Sequence, residues 1–488
     1  MRELKALEAR REAEISPSMK RTSSIVTIVA VVLVVAMACL MYMTPNPVVI
    51  GAYGFVMLLA LMAIRIPVGI ALAVVGALGM YMTSGMDAAQ NMMRATPWSS
   101  TATWTLSVIP MFVLMGMLME RSGLGADIFT AVRAMVGRTP AGLAISTNFA
   151  GAAMGAASGS TLGIVYALGR SGIPAMVKAG YDSRFAVASV LMAGTGGQLI
   201  PPSILLVVYA GMAQVPVGKQ LIAGVVPGVL IHVAFAVMML ILVLMKPSLA
   251  PRGPVEKLGA SVRARRILGL WPVVVLVTVV LGGLYGGFFT ATEAGAFGAL
   301  AACIMIVAVK GTKRLRTSVW PSMRDTIVST GSIFLIIIGG TMFGRFMTLT
   351  GIPRAFSQWL EAIGAGTITF MLLVLVLYLV LGTFMDPVPM MLITVPILLP
   401  VAMEVGVDPL LFGVFAVLLG ELAVLPPPVG VLLYVGHKIA LESGVQMSIG
   451  RVIQGVMWFY PVTIVFAILL ILFPDFFLAF PNAMNEAE

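Results

Sequence analysis

Four short runs combine backbone-breaking residues with oxygen-bearing side chains inside apolar surroundings. One is Gly155-Ala156-Ala157-Ser158-Gly159-Ser160-Thr161, and another is Gly382-Thr383-Phe384-Met385-Asp386-Pro387. The other two are Gly194-Thr195-Gly196-Gly197-Gln198-Leu199-Ile200-Pro201-Pro202-Ser203 and Gly420-Glu421-Leu422-Ala423-Val424-Leu425-Pro426-Pro427-Pro428-Val429-Gly430. Adjacent prolines remove backbone donors and clustered glycines loosen the preceding turn, so neither of these can be a continuous helix. A helix broken inside a bilayer frees carbonyl and N–H groups, which is tolerated only where they line a cavity or meet an ion. Half-helix C-termini then offer carbonyls to a cation, and half-helix N-termini offer N–H groups to an anion. Asp386 adds a carboxylate to one apex. A charge at that depth costs roughly 2.5–3.5 kcal/mol and normally faces the protein interior with a partner. Two structural readings stay open at this point: close packing through small residues at 155–161, and capping of a half-helix by Asp386.

The composition makes these runs intramembrane features. Of 488 residues, 60% are hydrophobic and 10% charged, against about 25% charged in a soluble domain. The mean hydropathy is +1.05. The chain is therefore read as an all-α polytopic membrane protein. The two cysteines, Cys39 and Cys303, lie in apolar runs, and only His232 and His437 supply imidazoles. That excludes a disulfide framework and a transition-metal site, and leaves no nucleophile–base set for an intramembrane enzyme. No GxxxxGK[ST] fingerprint is present, so ATP is not the direct energy source. The net charge of +10 sits in short loops between apolar runs, the distribution that orients a membrane protein rather than one that binds nucleic acid.

The elements that position the four runs follow from charge and length. Residues 1–23 form a charged tail, and 24–43 is an uncharged stretch long enough to span, read as an extra retained helix with a cytoplasmic N-terminus. The basic loops 246–266 and 310–324 are both expected in the cytoplasm. Comparing the chain with itself at an offset of 226 places Pro174 on Pro400, Gly180 on Gly406, Asp182 on Asp408, Gly194 on Gly420, and Pro201-Pro202 on Pro427-Pro428. Ser160 falls on Asp386, and slightly upstream Ser122-Gly123-Leu124 resembles Thr350-Gly351-Ile352. Arg170, Lys178 and Arg184 flank the first copy, whereas Glu404 and Asp408 flank the second. The positive-inside rule puts these two on opposite sides, giving two inverted repeats, a recurrent plan of secondary transporters.

Four regions result. Residues 1–104 hold the tail, the extra helix and N-terminal scaffold helices. Residues 105–246 are the first repeat, with a re-entrant hairpin at 139–169 and a broken helix at 185–217. Residues 247–325 hold a basic loop and a linking helix pair. Residues 326–488 are the second repeat, with a hairpin at 367–403 and a broken helix at 410–435. Spanning helices at 105–119 and 326–347 lead into the hairpins, and the C-terminus comes out periplasmic. Glu293 is read as a carboxylate at a helix N-terminus. Arg65, Glu120 and Arg121 are read as snorkelling at helix ends. Arg345 stands out as a cation in an apolar helix.

In this arrangement the sequence resembles the large membrane subunit of tripartite ATP-independent periplasmic (TRAP) transporters. The resemblance rests on FVLMGMLMERSG at 112–123, AGAAMGAASGST at 150–161, LIPPS at 199–203, FTATEA at 289–294, GTFMDP at 382–387, PILLP at 396–400, GVDP at 406–409 and PPVG at 427–430. It implies an elevator-type ion-transporter fold. It also implies sodium-driven import of an acidic organic solute of the C4-dicarboxylate, sugar-acid or sialic-acid class. A periplasmic solute-binding protein would deliver the solute, and a small membrane subunit of about four helices would complete the assembly in the bacterial inner membrane. No cofactor is implied beyond sodium. The resemblance carries sodium binding onto Ser158, Gly159, Ser160, Gly194, Thr195, Asp386 and Glu421. Solute contacts are expected from Thr161, Gln198, Pro201, Ser203, Pro427 and Arg345. The chain departs from the family pattern at Gln198, Leu419, Ala423 and Pro426, and in having Ala291-Thr292-Glu293-Ala294 where the family usually has PTEA. A carrier that works alone, such as a sodium/divalent-anion symporter or a sodium/proton antiporter, is the alternative of similar plan.

Overall fold

A computed structural model describes residues 17–137, 139–251, 259–383, 385–426 and 430–483, with side chains from residue 27 onward. Most of the charged tail, part of the basic 246–266 loop, Phe384 and Pro427 lie outside the described residues. The described residues are helical and contain no strand. Eight of their helices are long and apolar enough to cross a membrane. The chain divides into two compact units.

The first unit comprises 1–101 and 334–358. Its helices Pro17–Met43, Pro47–Ala63 and Val68–Thr101 pack where glycines permit close approach. A Cβ at Gly76 would lie 2.7 Å from the Met342 carbonyl carbon, and one at Gly69 would lie 2.8 Å from that of Leu335. The fully buried Phe346 ring fills the space left at Gly54 and Gly79. Gly85 turns the chain within Val68–Thr101 at φ +84°.

The second unit comprises 102–333 and 359–488 and holds both hairpins and both interrupted helices. The first hairpin pairs Gly142–Ser158 with Thr161–Lys178, and the second pairs Thr367–Gly382 with Pro387–Glu404. The first interrupted helix runs Ser183–Gly197 and resumes at Ile204–Ala213. The second runs Pro409–Ala423 and resumes at Val431–Glu442. The apolar segments Val217–Met245 and Ile449–Leu472 close the halves, and Ala291–Lys310 packs along Val108–Ser122.

The duplication is visible in backbone conformation. Gly180 and Gly406 both adopt left-handed backbone, at φ +85° and +84°, and Gly123 and Gly351 do so at +80° and +75°. Asp182 and Asp408 both cap the helix that follows, accepting from Arg184 N and Leu410 N at 2.8 and 2.7 Å. Arg184 folds back on Asp182, and these hydrogen bonds hold its carboxyl below the usual carboxylate range. Pro174 and Pro400 both sit inside the second helix of their hairpin. Thr290 and Glu293 form a reciprocal capping box, as expected of a carboxylate in a first helical turn.

The loop expected at 310–324 is a correction. A single helix, Thr312–Thr350, absorbs nearly all of it. Lysine and arginine are good helix formers, so a charged extension continues the spanning helix into water rather than ending it. The division into compact units also cuts across the four regions read from sequence, because residues 334–358 group with the N-terminal helices.

The opposed flanking charges make a topology prediction. Single cysteines at Ala179 and Val405, in a background lacking Cys39 and Cys303, are expected to label from opposite membrane faces. Labelling of both from one face would remove the inverted orientation.

Candidate functional site

The first hairpin breaks because Gly159 takes a left-handed conformation, φ +58°, directly after Ser158. Ser160 restarts the chain as the cap of Thr161–Lys178, its Oγ accepting from Gly163 N at 3.2 Å. Small residues then let this tip dock. A Cβ at Gly155 would overlap the Gly197 carbonyl, and one at Gly116 would overlap that of Ser158. A Cβ at Gly159 would stand 2.5 Å from the Pro202 carbonyl oxygen. The first tip therefore rests on the first break. Gly194 approaches the same tip, since its Cβ would lie 3.1 Å from the Thr161 carbonyl oxygen. Packing through small residues is thus real at 155–161, and it seats the tip against the first break.

The second tip is built in the same way. A Cβ at Gly382 would overlap Ala423, and one at Gly420 would lie 3.1 Å from Pro387 Cβ. Asp386 occupies the cap position of Pro387–Glu404, yet its side chain makes no capping hydrogen bond. The structure thus removes the capping alternative. The counterpart Ser160 spends its oxygen on the backbone, whereas the Asp386 carboxylate is left exposed at the apex.

Among the hydrogen bonds that join the halves, one runs from the first tip to the second break. Thr161 Oγ1, in the first turn after the first tip, donates to Glu421 Oε2 at 2.8 Å. Glu421 is only 5% exposed and lies in the last turn before the second break. Asp386 is within electrostatic range of it. One neutral hydroxyl does not balance a buried carboxylate, which calls for a cation or a proton nearby.

The remaining predicted residues divide. Thr195 Oγ1 donates its proton to the Met192 carbonyl at 3.1 Å within its own helix, which leaves the oxygen lone pairs able to accept. Ser158 does the same to Met154 at 2.9 Å. Ser203 is buried and caps Ile204–Ala213, accepting from Leu206 N at 3.3 Å. Pro201 is buried in the first break, and Gln198 is buried there with Oε1 lacking a partner among the described residues. Arg345 belongs to the first unit, where Nη1 donates to Thr96 Oγ1 at 3.0 Å.

Two groups were not assigned to the site from sequence. Glu120 was read as snorkelling at a helix end, but its carboxylate points into the first hairpin. A Cβ at Gly163 would meet Glu120 Oε2 at 2.8 Å and Ser160 Oγ at 3.4 Å. The crossing at Gly116 brings it there, and no local pattern announces that crossing. His232 is the second. Asn148 Nδ2 donates to the His232 carbonyl at 2.8 Å, so Asn148 Oδ1 faces His232 Nδ1 at 2.8 Å, and that nitrogen must carry the proton. The fully buried Nε2 lacks a partner among the described residues and lies 3.0 Å from where a Gly196 Cβ would be. This pair braces the first hairpin against the helix that closes its half.

Among the described residues no three His, Cys, Asp or Glu side chains group as a metal site. The cluster offers hard oxygen donors instead: two carboxylates, hydroxyls, and carbonyls freed at the breaks. The helices Thr161–Lys178, Pro387–Glu404 and Ile204–Ala213 begin at the tips and the first break, where first-turn N–H groups have no partner within the helix. Oxygen for a cation and N–H for an anion therefore occur together.

The profile of the family described as "Tripartite ATP-independent periplasmic transporter, DctM component" matches residues 55–476. The C4-dicarboxylate TRAP transporter large permease protein DctM of Pseudomonas aeruginosa is 35% identical over 381 residues, covering 78% of this chain and 86% of the relative. The sialic acid TRAP transporter large permease protein SiaM of Vibrio cholerae is 30% identical, covering 87% and 96%. The ectoine TRAP transporter large permease protein TeaC of Halomonas elongata is 30% identical, covering 86% and 96%. Among solved structures, the Alcanivorax borkumensis YdaH transporter, described as having an unusual topology, superimposes with a TM-score of 0.58. It is 15% identical and covers 88% of this chain and 99% of its own.

Proposed function

This chain belongs to the DctM family, the large permease component of TRAP transporters, and on that premise we propose that it imports an acidic organic solute driven by sodium. The observation that carries the sodium reading is the Thr161–Glu421 hydrogen bond joining the first tip to the second break. Asp386 lies within electrostatic range of Glu421, so a small hard cation held between the tips and the breaks would offset both charges. Ser158, Gly159, Ser160, Gly194 and Thr195 supply the neighbouring carbonyls and hydroxyls.

A solute carboxylate is held by the half-helix N-termini, with Thr161, Gln198, Pro201 and Ser203 around it. Relatives named for C4-dicarboxylate, sialic acid and ectoine share a carboxylate on the solute, which supports recognition of that group first. The solute class is C4-dicarboxylate, sugar acid or sialic acid. Each net positive charge carried inward gains about 2.3 kcal/mol per 100 mV, so sodium in excess of solute charge makes import electrogenic. Transport is of the elevator type, the body that holds the solute carrying it between faces. The setting is the bacterial inner membrane, with the N-terminus in the cytoplasm and the C-terminus in the periplasm.

A tripartite system has two further components, which we assign as a small membrane subunit and a periplasmic solute-binding protein. Reconstituting the permease and small subunit in liposomes tests this. Solute uptake is expected to fall at least about ten-fold when the binding protein is omitted. Full uptake without it would select the carrier that works alone.

A further inference from the structure

The helix Thr312–Thr350 begins with a charged stretch, and its cations sort by face. On the inward side, Arg314 Nη2 donates to the Arg121 carbonyl, and Arg121 pairs with Asp325. Lys310, on the preceding helix, pairs with Asp127. The buried hydroxyl residues Ser318, Ser322 and Thr326 continue this inward face. On the outward side stand Lys313, Arg316, Trp320, Arg324 and Ile327, spaced three and four apart and therefore on one stripe. All five are exposed, Trp320 by 73% and Ile327 by 70%. None of the three cations makes an ion pair with a described residue.

The stripe changes character along its length. It starts with two cations, passes an indole, and ends among exposed Ile327 and Val328. At about 1.5 Å per residue, Lys313 to Arg324 covers roughly 16 Å. Arg316 and Arg324 stand about 12 Å apart along the helix, a gap that two long, flexible guanidinium side chains can close onto one headgroup. This is the profile of a phospholipid: a phosphate at the charged end, a glycerol and ester level that suits tryptophan, and acyl chains beyond. Arginine binds phosphate oxygens in bidentate fashion, which a water-facing cation alone does not need.

We propose that this outward face binds the headgroup of an anionic glycerophospholipid, with Lys313, Arg316 and Arg324 on the phosphate and Trp320 at the glycerol level. The site is separate from the ion and solute cluster and does not depend on which solute is carried.

The test uses the full chain extracted in mild detergent, with phosphatidylglycerol as the probe and phosphatidylcholine as comparison. Native mass spectrometry counts retained lipid, and thermal unfolding reads stabilisation. Wild type is expected to retain phosphatidylglycerol and to melt higher with it than with phosphatidylcholine. The triple variant Lys313→Gln/Arg316→Gln/Arg324→Gln is expected to bind phosphatidylglycerol about ten-fold or more weakly. A charge-matched variant at Arg65, Arg94 and Lys178 is expected to behave as wild type. The single variant Arg316→Gln, a surface change that leaves the fold intact, is expected to show a partial loss of several-fold. Equal retention by wild type and the triple variant would overturn the proposal, and so would equal loss in the charge-matched control. Loss of a co-extracted protein from the triple variant with lipid retention unchanged would assign the face to that protein instead.

Discussion

Glutamine in place of Glu421 is expected to reduce sodium-driven uptake about 10²–10³-fold while leaving the protein folded. The size follows from removing one member of a buried charge pair, which costs about 3–5 kcal/mol, at about 1.4 kcal/mol per decade. Glu421 is buried and accepts a hydrogen bond from the neutral Thr161 hydroxyl. Glutamine keeps an acceptor oxygen for Thr161, so the tie between the halves survives and only the charge is lost. Size-exclusion chromatography checks the fold, and a sodium titration of uptake reads the site. Asparagine at 386 is expected to do less, raising the sodium needed for half-maximal uptake by about ten-fold, because Asp386 is exposed and exposed charges are partly screened. Since Asp386 caps nothing, an effect there reports on the ion rather than on the helix end. Wild-type titrations in both variants would contradict the sodium site.

Much of the architecture is legible in the sequence because breaks in a membrane helix need distinctive residues. Proline pairs, glycine runs and a lone carboxylate have few uses in hydrocarbon, so 155–161, 194–203, 382–387 and 420–430 mark the hairpin tips and helix breaks directly. The repeat is legible because Gly180 and Gly406 need the same left-handed backbone and Asp182 and Asp408 make the same cap. Those demands preserve residue type even where packing residues have diverged.

What was not legible depends on tertiary packing or on averaging over charge. Thr161 and Glu421 meet across 260 residues, and nothing local to either names the other. Glu120 reads as a helix-end carboxylate and becomes part of the tip's surroundings only through the close crossing at Gly116. Arg345 reads as a charge in an apolar helix, and the partner that Thr96 supplies inside the first unit is set by packing that no local pattern shows. The basic run at 310–324 looked like a loop because charge orients a membrane protein without saying whether the backbone is helical.

Sodium coupling is the centre of this account, and one measurement addresses it directly. Liposomes holding the complete three-component transporter are given solute, with sodium outside either present or replaced by choline at equal ionic strength and membrane potential. Uptake is expected with sodium and expected to fall to background with choline, recovering steeply as sodium is returned. Uptake that is the same in choline as in sodium would contradict the account, and would leave Glu421 and Asp386 as carriers of a proton or as structural charges.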